Sequence, residues 1–185
     1  MTPTLTCDAA VAAVRRAAAA VHRPVIAIDG ASGSGKSTFA STLQGAWPDR
    51  RIDVIRLDDV YPGWHGLDAG ASTVRRRMLL PRARGAVGAV PRWDWAAGVV
   101  AGIDRLPPGR PLIVEGCGAF AAVRRLDAAR VWLVASDDLR KRAALARDGG
   151  AFDPYWDLWE AQWRRYVART RPHVAADLIL RSRIG

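Results

Sequence analysis

"GASGSGKST", residues 30–38, follows the apolar run "PVIAI" at 24–28, and its reading decides how the rest of the chain is read. It fits G-x-x-x-x-G-K-[ST] with Gly30, Gly35, Lys36 and Ser37 in register. Glycines let main-chain N–H groups converge on phosphate oxygens, and a helix starting just after them presents its positive end to the same oxygens. The pattern predicts a nucleoside triphosphate cradled by Gly30, Ser32, Gly33, Ser34 and Gly35. Lys36 is expected to reach the β- and γ-phosphates, Ser37 to ligate Mg²⁺, and Thr38 to support the loop. It leaves one question: whether the terminal phosphate goes to water or to a hydroxyl on another molecule.

The composition narrows the setting. A chain of 185 residues, half of them hydrophobic, suits one α/β domain with a proper core. No uncharged apolar run approaches the length of a membrane span. The first twenty residues read as an amphipathic helix rather than a signal peptide. Cys7 and Cys117 are far apart and in no metal-like spacing, so a reducing cytoplasm is expected. The net charge of +10 fits nucleic acid, handling of anionic phosphates, or a compositional bias, and we favour the last two. Positive charge is written almost wholly as arginine; Lys36 and Lys141 are the only lysines. A lysine at position 36 is therefore informative, because a phosphate loop needs a slim, flexible ammonium there.

Short apolar runs recur at 24–28, 52–57, 111–116, 130–135 and 176–180, each bounded by polar residues or glycine. Helical patterns lie between them, at 6–21, about 36–45, within "STVRRRMLLPRA", at about 137–147 and at about 154–170, the last stopped by Pro172. Strands alternating with helices predict an α/β three-layer sandwich of the P-loop NTPase type, with a parallel sheet of roughly five strands and one domain over 1–185. Trp156, Trp159 and Trp163 recur at helical spacing and read as core packing. Arg75, Arg76, Arg77, Arg82 and Arg84 read as a solvated helix face. His22, His65 and His173 show no metal-ligand spacing.

A magnesium site calls for a carboxylate at the end of a neighbouring strand. "LIVEG" supplies Glu115 at the ligand-binding edge of such a sheet, with Asp29 as a weaker candidate. With two lysines, followed by Ser-Thr and Arg-Ala, the chain holds no Asn/Thr-Lys-x-Asp guanine motif, which favours ATP and leaves an ATPase open. In "RLDDVYPGWH", 56–65, two acids followed by an aromatic fall where strand two should end. They could deprotonate or orient an acceptor hydroxyl.

The ordered set "IDGASGSGKSTFA", "LDDVY", "PRWDW", "LIVEG", "DDLRKRAALARDGG" and "WEAQWRRYV" resembles the uridine kinase, phosphoribulokinase and pantothenate kinase group of P-loop small-molecule kinases. The resemblance implies ATP and Mg²⁺ as cofactors and a small hydroxyl metabolite, such as a nucleoside, as acceptor. It implies Asp58 as base, Tyr61 in the acceptor pocket, Trp93 and Asp94 beside it, and Gln162 at an acceptor position. Arg142 and Arg147 then sit on a short lid at about 140–153, with Arg147 the likelier phosphate contact by its place at the hinge glycines. "HGLDAG" offers His65 or Asp68 where the family grips its acceptor. A nucleoside monophosphate kinase, or a P-loop ATPase module acting with nucleic acid, stays as the alternative. Tryptophans in "PRWDW" replace the family's Tyr and Phe, which implies a reshaped acceptor pocket.

Overall fold

The computed structural model describes residues 7–19, 24–147 and 149–181. Five strands, β1 (Val25–Gly30), β2 (Asp53–Arg56), β5 (Leu112–Glu115), β6 (Ala129–Val134) and β7 (Leu178–Arg181), pair in parallel in the order β2-β5-β1-β6-β7. The apolar runs at 52–57 and 111–116 contain β2 and β5, and those at 24–28, 130–135 and 176–180 overlap β1, β6 and β7. The ends of the 6–21 helix pattern, and His22, lie outside the described residues.

Residue parity separates the layers. Ile26, Ile28, Ile113, Val131, Leu133 and Leu180 pack with α1 (Cys7–Ala19) and α2 (Lys36–Gly45) on one sheet face. Ala27, Ile55, Leu112, Val114 and Trp132, one residue out of step, pack on the other face. They meet α3 (Leu67–Thr73), α5 (Ala119–Ala122), α6 (Asp137–Arg147) and α7 (Trp156–Thr170). Strands apolar on both faces are what a parallel sheet between helix layers requires. The result is an α/β three-layer sandwich.

The α7 stripe Trp156, Trp159, Trp163 and Tyr166 is buried, and Trp163 stacks on Trp132 at 5.4 Å. Helix α7 ends where Arg171 turns left-handed before Pro172. Arg75 and Arg82 are not part of a solvated face. Arg75 donates to the Arg124 carbonyl, while Arg82 donates to the carbonyls of Pro107 and Arg110 and pairs with Asp53 at 3.3 Å. Arg76, Arg77 and Arg84 are exposed. A π-helical turn at Val74–Leu79 joins α3 to α4 (Leu80–Ala83).

One element is absent from the sequence reading. Residues 88–106 form an antiparallel hairpin, β3 (Gly88–Asp94) with β4 (Val99–Leu106), bulged between Arg92 and Trp93. Gly88, Pro91 and Gly102 disguise it, since these residues weaken interior strands; a two-stranded ribbon is all edge and tolerates them.

Helices α6 and α7 are clamped by Arg140. Its guanidinium is buried, donates to Glu160 at 2.9 and 2.7 Å, and donates to Asp137 at 2.8 Å. Burial opposes the Glu160 charge, but Arg140 and Arg164 outweigh it and hold the carboxyl below its ordinary value of 4.5. Glu160→Gln should cost about 3 kcal/mol of stability in urea unfolding at neutral pH, because it strips a buried guanidinium of its bidentate partner and leaves it only the exposed Asp137. A carboxyl lowered in the fold contributes above its unfolded value and loses that contribution as pH falls through the folded one. The gap between wild type and variant should therefore close in acid, and a gap that stays constant to the end of the titration would rule out this origin.

Candidate active site

Central strand β1 is where the chain switches sides, going to β5 and β2 on one flank and to β6 and β7 on the other. The crevice beyond such a switch point is where open α/β sheets bind ligands. The loop after β1 lies there. Gly35, with φ +88°, caps α2, so Lys36 and Ser37 open that helix. Gly33, with φ +75°, lets the backbone of α6 close in: a Cβ at 33 would stand 1.8 Å from the Arg140 carbonyl oxygen.

Under the loop is Asp29, fully buried. Its carboxylate accepts from the N–H groups of Gly30 (2.7 Å), Gly118 (3.1 Å) and Phe120 (2.9 Å), and from the Tyr166 hydroxyl (2.8 Å). Burial pushes its carboxyl up, and those four donors pull it back. With its oxygens so engaged, Asp29 is a girder rather than an open metal ligand.

Lys36 is buried, and its ammonium folds back onto the Ala31 carbonyl at 2.8 Å with Cys117 Sγ at 3.7 Å. Burial alone would lower its pKa; Cys117, Glu115, Asp58 and Asp29 together hold it above the ordinary value. Cys117 also bridges Ser32 Oγ (3.6 Å) and the Gly30 carbonyl (3.4 Å). Burial raises its thiol, and Lys36 opposes that rise. The Ser34 hydroxyl is buried in the loop without a hydrogen-bond partner.

Glu115, 2% exposed, hydrogen-bonds with Ser37 and lies 3.8 Å from Arg56. Burial raises its carboxyl and Lys36 lowers it. A hydroxyl and a carboxylate side by side at a phosphate loop suit Mg²⁺, which takes few protein ligands and fills its shell with phosphate and water oxygens. Among the described residues no cluster of three His, Cys, Asp or Glu offers an all-protein metal cage. The orphaned Ser34 hydroxyl, the folded-back Lys36 and the Ser37–Glu115 pair all fit a triphosphate with its magnesium.

Ser32 and Ser37 share a cavity of about 490 Å³ with Arg56, Asp58, Asp59, Tyr61, Trp64, Trp95, Arg147, Ala151, Phe152 and Trp159. Asp58 and Asp59 occupy a 3-10 turn directly after β2. Asp58 faces Arg147 at 3.7 Å, and its carbonyl accepts from Trp95 Nε1 at 2.8 Å. The ring of Tyr61 forms part of the wall while its hydroxyl donates to the Cys117 carbonyl at 2.7 Å.

The structure thus gathers Ser32, Ser37, Asp58, Tyr61 and Arg147 around one cavity, with Lys36 and Glu115 beside them. It does not bring the others there. Asp94 accepts from Ala96 and Ala97 N–H, at 2.8 and 2.9 Å, and caps the hairpin turn. Trp93 lies past the bulge, and Trp95 holds the cavity position. Gln162 donates to the Trp64 carbonyl at 2.7 Å, pinning the loop that carries that ring. His65 and Arg142 are exposed and do not line the cavity, and Asp68 pairs with Arg169.

Trp64, Trp95, Phe152 and Trp159 are the residues that sequence reasoning missed. Trp64 lies near-parallel to Tyr155 and Phe152, at 4.4 and 5.1 Å, and tilts against Trp95 at 4.5 Å. Trp159 is both core and wall. The available signal was "PGWH", an aromatic three residues after Tyr61.

No family model matches the sequence, and no curated protein does. Solved structures match over nearly the whole chain. A possible uridine kinase from Bacillus stearothermophilus shares 16% identity at a TM-score of 0.65, over 92% of this chain and 96% of that one. A candidate fructose transport system kinase from Silicibacter sp. TM1040 shares 19% identity at a TM-score of 0.57, over 95% and 98%.

Gly33→Ala should destabilise the protein by at least about 2 kcal/mol, since it adds a backbone clash to a strained φ. Gly98→Ala is the control: φ is +68° there, with nothing within 4 Å of the added Cβ. Urea midpoints compare the two, and equal losses would mean that α6 does not press on the loop. The sheet order, the loop at its switch point and these neighbours agree on one conclusion: the chain has the P-loop kinase-like α/β fold.

Proposed function

We propose that the protein is an ATP-dependent phosphotransferase acting on a hydroxyl of a small metabolite. The observation that carries this reading is the shared cavity. Ser32 and Ser37 of the loop open onto the same space as Asp58, Arg147 and an aromatic wall. A space of about 490 Å³ suits a phosphoryl group plus a small acceptor rather than a polymer.

In this reading the loop N–H groups and Lys36 hold the β- and γ-phosphates of ATP. Ser37 and Glu115 would hold Mg²⁺, which would supply charge neutralisation of the phosphates. Asp58 takes the proton of the acceptor hydroxyl, whose oxygen bonds to the γ-phosphorus as the bridge to the β-phosphate breaks and ADP leaves. Arg147, the last residue of α6 and within a lid formed by about 140–153, exchanges Asp58 for the γ-phosphoryl oxygens and stabilises their charge. Lys36 keeps its positive charge among the carboxylates, which is the state this role requires.

The acceptor end is built from aromatic rings and two carboxylates, while its arginines face acids. That favours an unphosphorylated acceptor over a nucleoside monophosphate or a polynucleotide, both of which need excess positive charge. The test is ADP release and phosphate transfer, followed by ³¹P NMR, across a panel of hydroxyl compounds. Hydrolysis that no small hydroxyl compound stimulates, but DNA or RNA does, would overturn the reading.

Lys36→Ala should lower turnover by about 10²–10³-fold, the usual loss for a donor aimed at transition-state charge. Asp58→Asn should lower turnover by about 10²-fold or more, with the KM for ATP little changed. Steady-state kinetics on both variants check this, and near-normal turnover in either removes that residue from the chemistry.

A further inference from the structure

Two of the acids at the cavity are held in ion pairs and a third is not. Arg147 faces Asp58 at 3.7 Å and Arg56 faces Glu115 at 3.8 Å. Asp59 is the third: it lines the cavity, is exposed to solvent there and, among the described residues, makes no ion pair. It lies toward the hairpin, where the charges acting on it are those of Arg56, Asp58, Asp104 and Arg92. Desolvation raises its carboxyl, with Asp58 and Asp104 adding to the rise and the two arginines opposing it. A carboxylate so placed gains from a cationic partner.

The wall beside it is aromatic. Trp64, Trp95, Phe152, Trp159 and Tyr61 all border the cavity. Trp64 is already stacked against Tyr155 and Phe152, so its ring is committed to its neighbours rather than offered to a planar base. Trp95 is more than a third exposed. Indole rings beside a carboxylate that makes no ion pair are the chemistry that binds organic ammonium groups.

We propose that the acceptor is an amino alcohol: a small hydroxyl compound carrying a protonated amine, held by Asp59 against the Trp95 side of the wall with its hydroxyl turned to Asp58. This rests on the phosphotransfer reading and adds the class of acceptor to it. It also divides the work of the adjacent acids. Asp58, near Lys36 and Arg147, faces the chemistry, while Asp59 faces the part of the substrate that does not react.

The experiment compares matched acceptors with Mg·ATP: phenylalaninol and 2-deoxystreptamine, each against its N-acetylated form, with uridine and fructose as neutral acceptors. At least one free amine should exceed its N-acetyl form by about tenfold or more in kcat/KM, as expected for a charge contact reinforced by an aromatic face. Asp59→Asn should shrink that preference to about threefold or less, through KM rather than kcat. Thermal melts of the Mg·ADP complex give a second readout that needs no turnover. The free amines should raise the midpoint, the N-acetyl forms should not, and Asp59→Asn should abolish the rise.

Neutral acceptors used as well as the amines would overturn this inference and leave the phosphotransfer reading standing. So would an Asp59→Asn variant that loses kcat on every acceptor alike, since Asp59 would then be the base. Amine-specific stabilisation without phosphate transfer to any compound would support the ammonium site and count against the phosphotransfer reading. No transfer together with no amine-specific stabilisation would overturn both.

Discussion

Everything at the ligand edge of the sheet hangs on the Asp29 carboxylate. It is fully buried, and four donors from three parts of the chain converge on it: the first residue of the loop, the turn after β5, and Tyr166 on α7. A buried carboxylate is tolerated only when its lone pairs are used, and here their use fixes geometry. The β1–α2 loop, the turn that carries Cys117 and the long helix are tied to one point. Tyr61 reaches the same turn through the Cys117 carbonyl, so the start of the acceptor segment is referenced to it as well.

From that anchor the electrostatics of the loop follow. The Lys36 ammonium lies in a dry environment that disfavours its charge, and the surrounding acids reverse the balance. Glu115 shows the converse, with burial favouring the neutral acid and the ammonium opposing it. These opposed pulls let one small volume hold a cation, a carboxylate and a hydroxyl without ligand. In the proposed function the same volume would accept a phosphate, compensated by Lys36, and a divalent cation, compensated by Glu115. The clamp from Arg140 to Glu160 keeps α6 close enough to bring Arg147 opposite Asp58.

The loop half of the site was legible because backbone chemistry dictates its residues. Only glycine takes the left-handed φ at 33 and 35 without strain, only a short strand and a following helix present such a loop, and a lone lysine among arginines marks its place. Glu115 was legible because a carboxylate after four apolar residues needs a reason to be there. The acceptor half was not legible in the same way. Whether Trp93 or Trp95 meets the cavity depends on a bulge in a hairpin whose glycines and proline hide it from any periodicity. Asp94 reads equally well as a site acid and as a turn cap, and only the turn's N–H groups decide. Arg140 and Arg142 are two residues apart on one helix: the first is the buried clamp and the second is exposed, a difference set by Glu160 twenty positions away.

This asymmetry has a physical origin. In the proposed function phosphate is met by main-chain N–H groups and one ammonium, so the sequence of that side can hardly vary without losing the geometry. The other side is recognised by side chains supported at a distance: Gln162 holds the Trp64 loop by one carbonyl, Trp95 hangs on the Asp58 carbonyl, and Trp159 rests edge-on against Tyr61 at 4.8 Å. Such a wall can exchange rings, tilt or charge while the sheet and the loop stay where they are. Likeness of fold at 16–19% identity is therefore compatible with a different acceptor. The acceptor has to be read from the residues that stand at the cavity here. Those are tryptophans beside a carboxylate that makes no ion pair, and the rings are held in place by bonds that the phosphate loop does not share.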